Sequence, residues 1–359
     1  MPVQRVYFSW FEVLRQLWPK ERITRVRNMA WLIAGLWVSE SIHLSQIAKR
    51  LPWDIRSTSI ERRFSRFLHN RAVRVRDWYE PVARMLITRA LSSVGEVRLI
   101  LDTTPVHHRA QVVIVSLAFR RRALPLVWAW IPQGKGHSSS YKQKALLAHV
   151  RRWIPPDAQV VVVGDSEFGS GALIQQLKAW GWDYVLRQKG RILIQFADRK
   201  GWTPLKEVSV NPGESYWYPN ILATKKYQHA CNLLVHWEVG EKTPWLLLSS
   251  YPTRGQTLQA YRRRMWAEEM HRDLKSQGYH LDKTHIRDWQ VLSRLFLALA
   301  LLYVWNIAIG TVVIKRGQRP WVDRRDRRDL SVFRIGSDTL MRRLSLGKPI
   351  WIRLVPYFR

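Results

Sequence analysis

Two periods of hydrophobic spacing divide the chain. Up to about residue 90, apolar positions recur at helical spacing, as in Phe8 to Leu17 and Met29 to Val38, and predict helices throughout. Inside this region Leu44, Ile47, Ala48 and Leu51 form one short apolar stripe that Pro52 closes. Ser57 to Ser59 then offer N-caps for a second helix carrying Arg62, Arg63 and Arg66. That is the layout of a helix-turn-helix, which a plain helical hairpin shares; the arginines on the second helix favour contact with a polyanion.

From Glu96 the period becomes that of strands. VRLILDTT, QVVIVSLAFRR and ALPLVWAWIP are successive apolar runs joined by short basic or polar turns, which predicts an antiparallel meander. A helix about Tyr141 to Trp153, a strand at Gln159 to Val163, a helix over Gly171 to Trp180 and the strand WDYVLRQ follow, and this alternation implies parallel crossovers. The fold class is α/β with a mixed sheet. Between about 190 and 250, RILIQF, ESYWYP, CNLLVHWEV and WLLLSS read as strands with Gly and Pro turns, a β-rich insertion. A charged stretch, Tyr261 to Lys275, lacks Gly and Pro and predicts about four turns of helix. Leu295 to Ile314 is apolar enough for a membrane span. A buried core helix gives the same signal and is favoured, because one isolated span makes little sense as the anchor of so basic a chain. The tail from 317 to 359 is basic and weakly patterned, and is read as a surface segment of uncertain order.

Charge changes this picture more than size does. The 359 residues carry 59 Lys and Arg against 27 Asp and Glu, a net +32, so the chain repels itself unless a polyanion is its partner. Nucleic acid is the ordinary one and an anionic membrane surface the competitor. The single Cys231 excludes an internal disulfide and a cysteine metal cluster, in keeping with a reducing cytoplasm. MPVQRVYFSWFEVLRQ has no uninterrupted apolar stretch and is not read as a signal peptide.

Candidate chemistry lies in three carboxylates. On a regular helix Tyr261, Arg264, Glu268 and Lys275 fall within roughly 60° of one another, a face suited to solvent and ion pairs or to a charged ligand. Upstream, Asp102 ends the run VRLILD and Asp165 ends VVVVGD. Either could merely cap a turn, but if their strands are neighbours the two carboxylates converge. Three carboxylates with no accompanying Cys, and no His at zinc spacing, suit Mg²⁺ or Mn²⁺. Two such ions can activate a water or 3′-hydroxyl and stabilise the leaving oxygen of a phosphodiester. Glu269 lies about 100° around the helix from Glu268, and Glu167 follows its turn rather than ending a strand, so neither is chosen. His107, His108 and His137 receive no role.

The spacing Y-(2)-R-(3)-E-(6)-K, matched by Tyr261, Arg264, Glu268 and Lys275, resembles the signature of bacterial insertion-sequence transposases of the DDE class, insertion-sequence family four. LDTTP at Leu101 to Pro105 and GDSEFGS at Gly164 to Ser170 resemble that family's first and second aspartate motifs. The resemblance covers about residues 40 to 310. It implies a ribonuclease H-like catalytic domain, set here at 93–316, with the insertion at 190–250; the helical DNA-binding region over 1–92 and the basic segment over 317–359, whose sequence matches nothing in that family, are read from the residues. It further implies that Asp102, Asp165 and Glu268 hold two Mg²⁺ or Mn²⁺ ions, and that Tyr261, Arg264 and Lys275 contact DNA near the element end. Double-stranded DNA, both element ends and target, is the implied partner, with a homodimer formed on it, no membrane, and a cytoplasmic, nucleoid-associated location. Trp245 opens a run resembling the strand in hairpin-forming members where a tryptophan stacks on a flipped base; a core tryptophan is the alternative. Two other readings are a catalytically silent DNA-binding descendant of a transposase and a basic membrane-anchored protein.

Overall fold

A computed structural model describes residues 2–134 and 136–358; Met1, Lys135 and Arg359, the outermost residues of the expected terminal segments among them, lie outside the described residues. Five helices come first: α1 (Pro2–Leu17), α2 (Ile23–Ser39), α3 (Leu44–Arg50), α4 (Ser57–His69) and α5 (Val75–Val94). Their apolar stripes meet in one core, where Trp10 and Trp37 are buried and both lie 5.5 Å from Trp305. The expected helix pair is present as α3 and α4. Ser57 is already helical, however, and the N-cap position falls to Arg56 with no side-chain cap.

β1 (Glu96–His107), β2 (Ala110–Phe119) and β3 (Arg122–Ile131) form the antiparallel meander. Its second turn places Arg120 and Arg121 both at positive φ, the conformation a two-residue hairpin turn demands, here without Gly or Asn. After α6 (Ser140–Arg151), β4 (Gln159–Gly164) pairs parallel with β1; after α7 (Gly171–Ala179), β5 (Asp183–Arg187) pairs parallel with β4. The order β3-β2-β1-β4-β5 is the ribonuclease H-like mixed sheet. β2 and β3 are buried along nearly their whole length, as near-continuous apolar runs must be when both faces are covered.

The insertion does not stand apart. β6 (Leu193–Gln195), β7 (Thr203–Pro204), β8 (Ser215–Ala223), β9 (His229–His236) and β10 (Trp245–Ser249) extend the same sheet to ten strands, because β10 pairs antiparallel with β5. Two helices then cross back: α8 (Arg254–Arg262) and α9 (Met265–Leu274), the latter lying over β1, β2 and β3. The long apolar run is α10 (Trp289–Lys315), buried along nearly its whole length against α2, α4, α5 and β3. Its hydrophobicity is spent inside the protein, as expected of a core helix.

The tail corrects its expectation. α11 (Val332–Ser345), capped by Ser331, packs along α10, and Gly310 and Gly336 let the two backbones meet: a Cβ on Gly336 would stand 1.9 Å from the Asn306 carbonyl oxygen. Beyond it, Ser9 Oγ donates to the Ile350 carbonyl and Trp305 Nε1 to that of Trp351. Two glycines and a few scattered apolar residues gave too little periodicity to show this packing.

Candidate active site

Asp102 lies in the middle of β1 rather than at its end: the strand continues to His107 on the β2 side, whereas β4 stops at Gly164, the partner of Leu101. Asp165 therefore follows β4 at the level of Asp102, and the parallel register alone sets the two carboxylates side by side. Asp165 Oδ1 accepts the backbone N–H of Glu167, so it closes a turn, while Ser170 is the residue that caps α7. Burial pushes the Asp165 carboxyl up from its ordinary value, and the neighbouring Asp102 pushes it further, against the Glu167 N–H and Arg264.

α9 delivers the rest. Arg264 Nη1 donates to Asp102 Oδ1 at 3.2 Å and its Nη2 to Glu268 Oε1 at 2.6 Å, so one guanidinium spans two carboxylates. Burial disfavours the charge on Arg264, yet Asp102, Tyr261 and Glu268 outweigh it and raise its pKa. The Glu268 side chain is 46% exposed, at the mouth of the site. Lys275, at the C-terminal end of α9, donates to Thr104 Oγ1 at 2.6 Å; burial lowers its pKa against the pull of Asp282 and Asp102.

Sequence spacing missed one participant. His271 Nε2 donates to Asp102 Oδ2 at 2.8 Å, so both oxygens of Asp102 are held, one from each side. The available signal was its position three residues after Glu268, on a neighbouring face of the same helix. The two rejected glutamates serve elsewhere. Glu167 accepts from Thr103 Oγ1 and from the backbone and hydroxyl of Ser138, bracing the loop ahead of α6, with His137 3.8 Å away. Glu269 faces Arg122 and Arg272, and Arg122 also pairs with the buried Asp273, pinning α9 to β3.

Three expectations are corrected. The stretch Tyr261 to Lys275 is not one helix: Arg264 N–H bonds the Tyr261 carbonyl and Ala267 N–H that of Arg264, three-residue spacings that tighten the chain between α8 and α9. Tyr261, at the C-terminal end of α8, faces the core instead of solvent. It is 1% exposed and meets Trp245 edge-on, ring centroids 5.0 Å apart. Trp245 is itself in the core, 6% exposed, so neither ring is presented to DNA in this conformation. On α4, Arg62 and Arg66 are exposed, but Arg63 donates to Asn28 Oδ1 at 2.8 Å and lies over the Trp53 ring, a packing role.

The three carboxylates offer only oxygen donors, the kind a hard cation prefers, and burial of Asp165 beside Asp102 disfavours a second bare charge there. Among the described residues no three of His, Cys, Asp and Glu converge closely enough to hold an ion, and Arg264 stands between Asp102 and Glu268.

A ribonuclease H-like sheet with two aspartates on adjacent strands and a glutamate-bearing helix laid across them is the arrangement of the DDE class of nucleic-acid enzymes. Residues 96–305, more than half of the chain, match the family described as Transposase DDE domain, and the protein belongs to that family. No curated protein matches it. Among solved structures it is similar to the cryo-EM structure of piggyBac transposase synaptic complex with hairpin DNA, at 10% identity and a TM-score of 0.45, over 96% of this chain and 77% of that one.

Proposed function

We propose that the protein is a transposase of the insertion-sequence family four type, of bacterial kind, that binds the inverted-repeat ends of its own element as a homodimer, cuts them, and joins the freed 3′-hydroxyls to target DNA. The observation that carries the reading is the parallel register of β1 and β4, which brings Asp102 beside Asp165, with α9 laying Glu268 over the same edge. Asp102, Asp165 and Glu268 would hold Mg²⁺ or Mn²⁺, which when bound supplies activation of the attacking oxygen and stabilisation of the leaving one. His271 orients Asp102. Arg264 and Lys275 place positive charge where a scissile phosphate would lie, and Arg62 and Arg66 give the helical region 1–92 its hold on the DNA backbone. The catalytic unit spans 93–316, and the segment 317–359 braces it through α11.

Glu268→Gln removes a carboxylate charge while keeping its shape. Mg²⁺-dependent cleavage of the element's own end should fall by orders of magnitude while binding of that DNA persists, and Glu269→Gln should be far milder. Wild-type cutting by the Glu268→Gln protein would sink the assignment. A wild-type protein that binds its ends and never nicks them would instead be a silent DNA-binding descendant.

A further inference from the structure

Past the active site, at the far end of β1, a cleft of about 530 Å³ opens between three segments. The β1–β2 turn contributes His107, His108 and Arg109; the residue ahead of α3 contributes His43; the loop after the tight turn Leu281–Lys283 contributes His285 and Arg287, with Lys283 beside them. Of the lining residues Asp282 alone is acidic, 4.0 Å from Lys283. The imidazoles lie in two tilted pairs, His43 with His285 across the opening and His107 with its neighbour His108, each at 5.7 Å between centroids.

The cleft gathers Arg109, Lys283 and Arg287 against the single carboxylate of Asp282. Burial lowers the pKa of His43, and His285 and His280 lower it further; burial likewise lowers that of His107, helped by His108, Arg109 and Arg287 against the Ile286 carbonyl. The surroundings thus disfavour the charged form of both rings, each of which keeps one N–H donor when neutral, while Arg109, Lys283 and Arg287 supply the charge. Cations with neutral donors between them match phosphodiester oxygens.

The cleft also lies on a line with the chemistry. β1 runs from Asp102 through Thr104, which Lys275 holds, to His107. Five residues at about 3.3 Å each span about 16 Å. Duplex DNA rises 3.4 Å per step, so that distance corresponds to about five base pairs. We propose that the cleft is a phosphate-backbone subsite that grips duplex DNA about five base pairs from the phosphate presented to Asp102 and Asp165. It rests on the DNA-cutting reading above and extends it to a second contact region that none of the signature residues supplies.

The test is the salt dependence of binding by the full chain to a duplex of about 30 base pairs of arbitrary sequence, without metal, followed by fluorescence anisotropy. Arg109→Gln/Arg287→Gln removes two exposed cleft charges. Arg325→Gln/Arg328→Gln removes the same charge from the exposed loop before α11. The cleft pair should lower the slope of log affinity against log salt by about two, at 0.9 per phosphate contact, and the control pair should leave it nearly unchanged. Lys283→Gln/Arg287→Gln provides a second cleft pair should the turn variant melt early. Equal loss in cleft and control variants, or loss in neither, overturns the subsite. Wild-type protein that binds no duplex at low salt overturns the DNA-acting reading itself, a different failure read from a different sample.

Discussion

Trp245→Ala separates a tryptophan that stacks on DNA from one that holds the site together. In the structure the indole is 6% exposed, packed edge-on to Tyr261 at 5.0 Å and beside His236 at 5.5 Å, on the first residue of β10. A buried tryptophan covers about 200 Å², so at about 25 cal/mol per Å² its removal forfeits up to about 5 kcal/mol; large aromatic truncations cost about 3–5 kcal/mol. With an unfolding entropy of about 2.1 cal/mol/K per residue, about 0.75 kcal/mol/K for a chain this long, 4 kcal/mol corresponds to a melting shift of about 5 °C. Tyr261 sits at the end of α8, just before the tightened turn into α9, so its loss of support should also loosen Arg264 and Glu268. The expected result is a melting temperature lowered by several degrees, with first nicking and double-strand cleavage falling together; Trp245→Phe should recover most of both. Calorimetry and a nicking assay run below both melting temperatures provide the check. A variant that melts with the wild type, nicks normally and fails only at the second strand would refute the packing argument and restore the base-stacking role.

The remaining predictions use the same two kinds of measurement. Arg62→Gln and Arg66→Gln should each reduce the salt slope of DNA binding by about one with melting unchanged, whereas Arg63→Gln, which loses Asn28 and Trp53, should lower melting and leave the slope nearly intact; the reverse pattern would mean Arg63 faces DNA. Gly336→Ala drives a methyl to within 1.9 Å of a backbone oxygen and should destabilise by about 1–3 kcal/mol or more, and a neutral result by chemical denaturation would deny the close crossing of α10 and α11. His271→Ala should slow cleavage by at least tenfold and raise the Mg²⁺ concentration needed for half-maximal rate, while leaving DNA affinity unchanged; partial rescue by Gln, which can still donate to Asp102, distinguishes positioning from bulk packing.

Much of this protein was legible in one dimension because the relevant signals are periodic. Runs such as VRLILDTT and QVVIVSLAF admit only strands, and their alternation with helical segments after residue 140 admits only parallel crossovers, so the mixed sheet followed from the pattern of apolar residues. The same holds for α10: twenty apolar positions in a chain of net +32 read as a core helix, and the protein packs around it. Asp102, Asp165 and Glu268 could be picked out because each stands at a break in an apolar run or at a fixed spacing within a charged one.

Tertiary structure decided what contact across the sequence decides. That Asp102 and Asp165 lie side by side is a matter of register between strands about sixty residues apart, which no local pattern encodes. Helical arithmetic placed Tyr261 with Arg264 and Glu268, but it cannot say which part of that face the sheet will cover. The packing of α8 under Trp245 puts the tyrosine in the core, while Glu268 stays at the mouth of the site. The place of His271 three residues after Glu268 is a weak signal shared by many charged helices; only the approach of α9 to β1 makes it a partner of Asp102. Arg63 looked like its neighbours in sequence and differs because Trp53 and Asn28 come to meet it. Local chemistry sets which elements form and which residue types are available for catalysis, while the burial of those elements against one another determines which side chains meet.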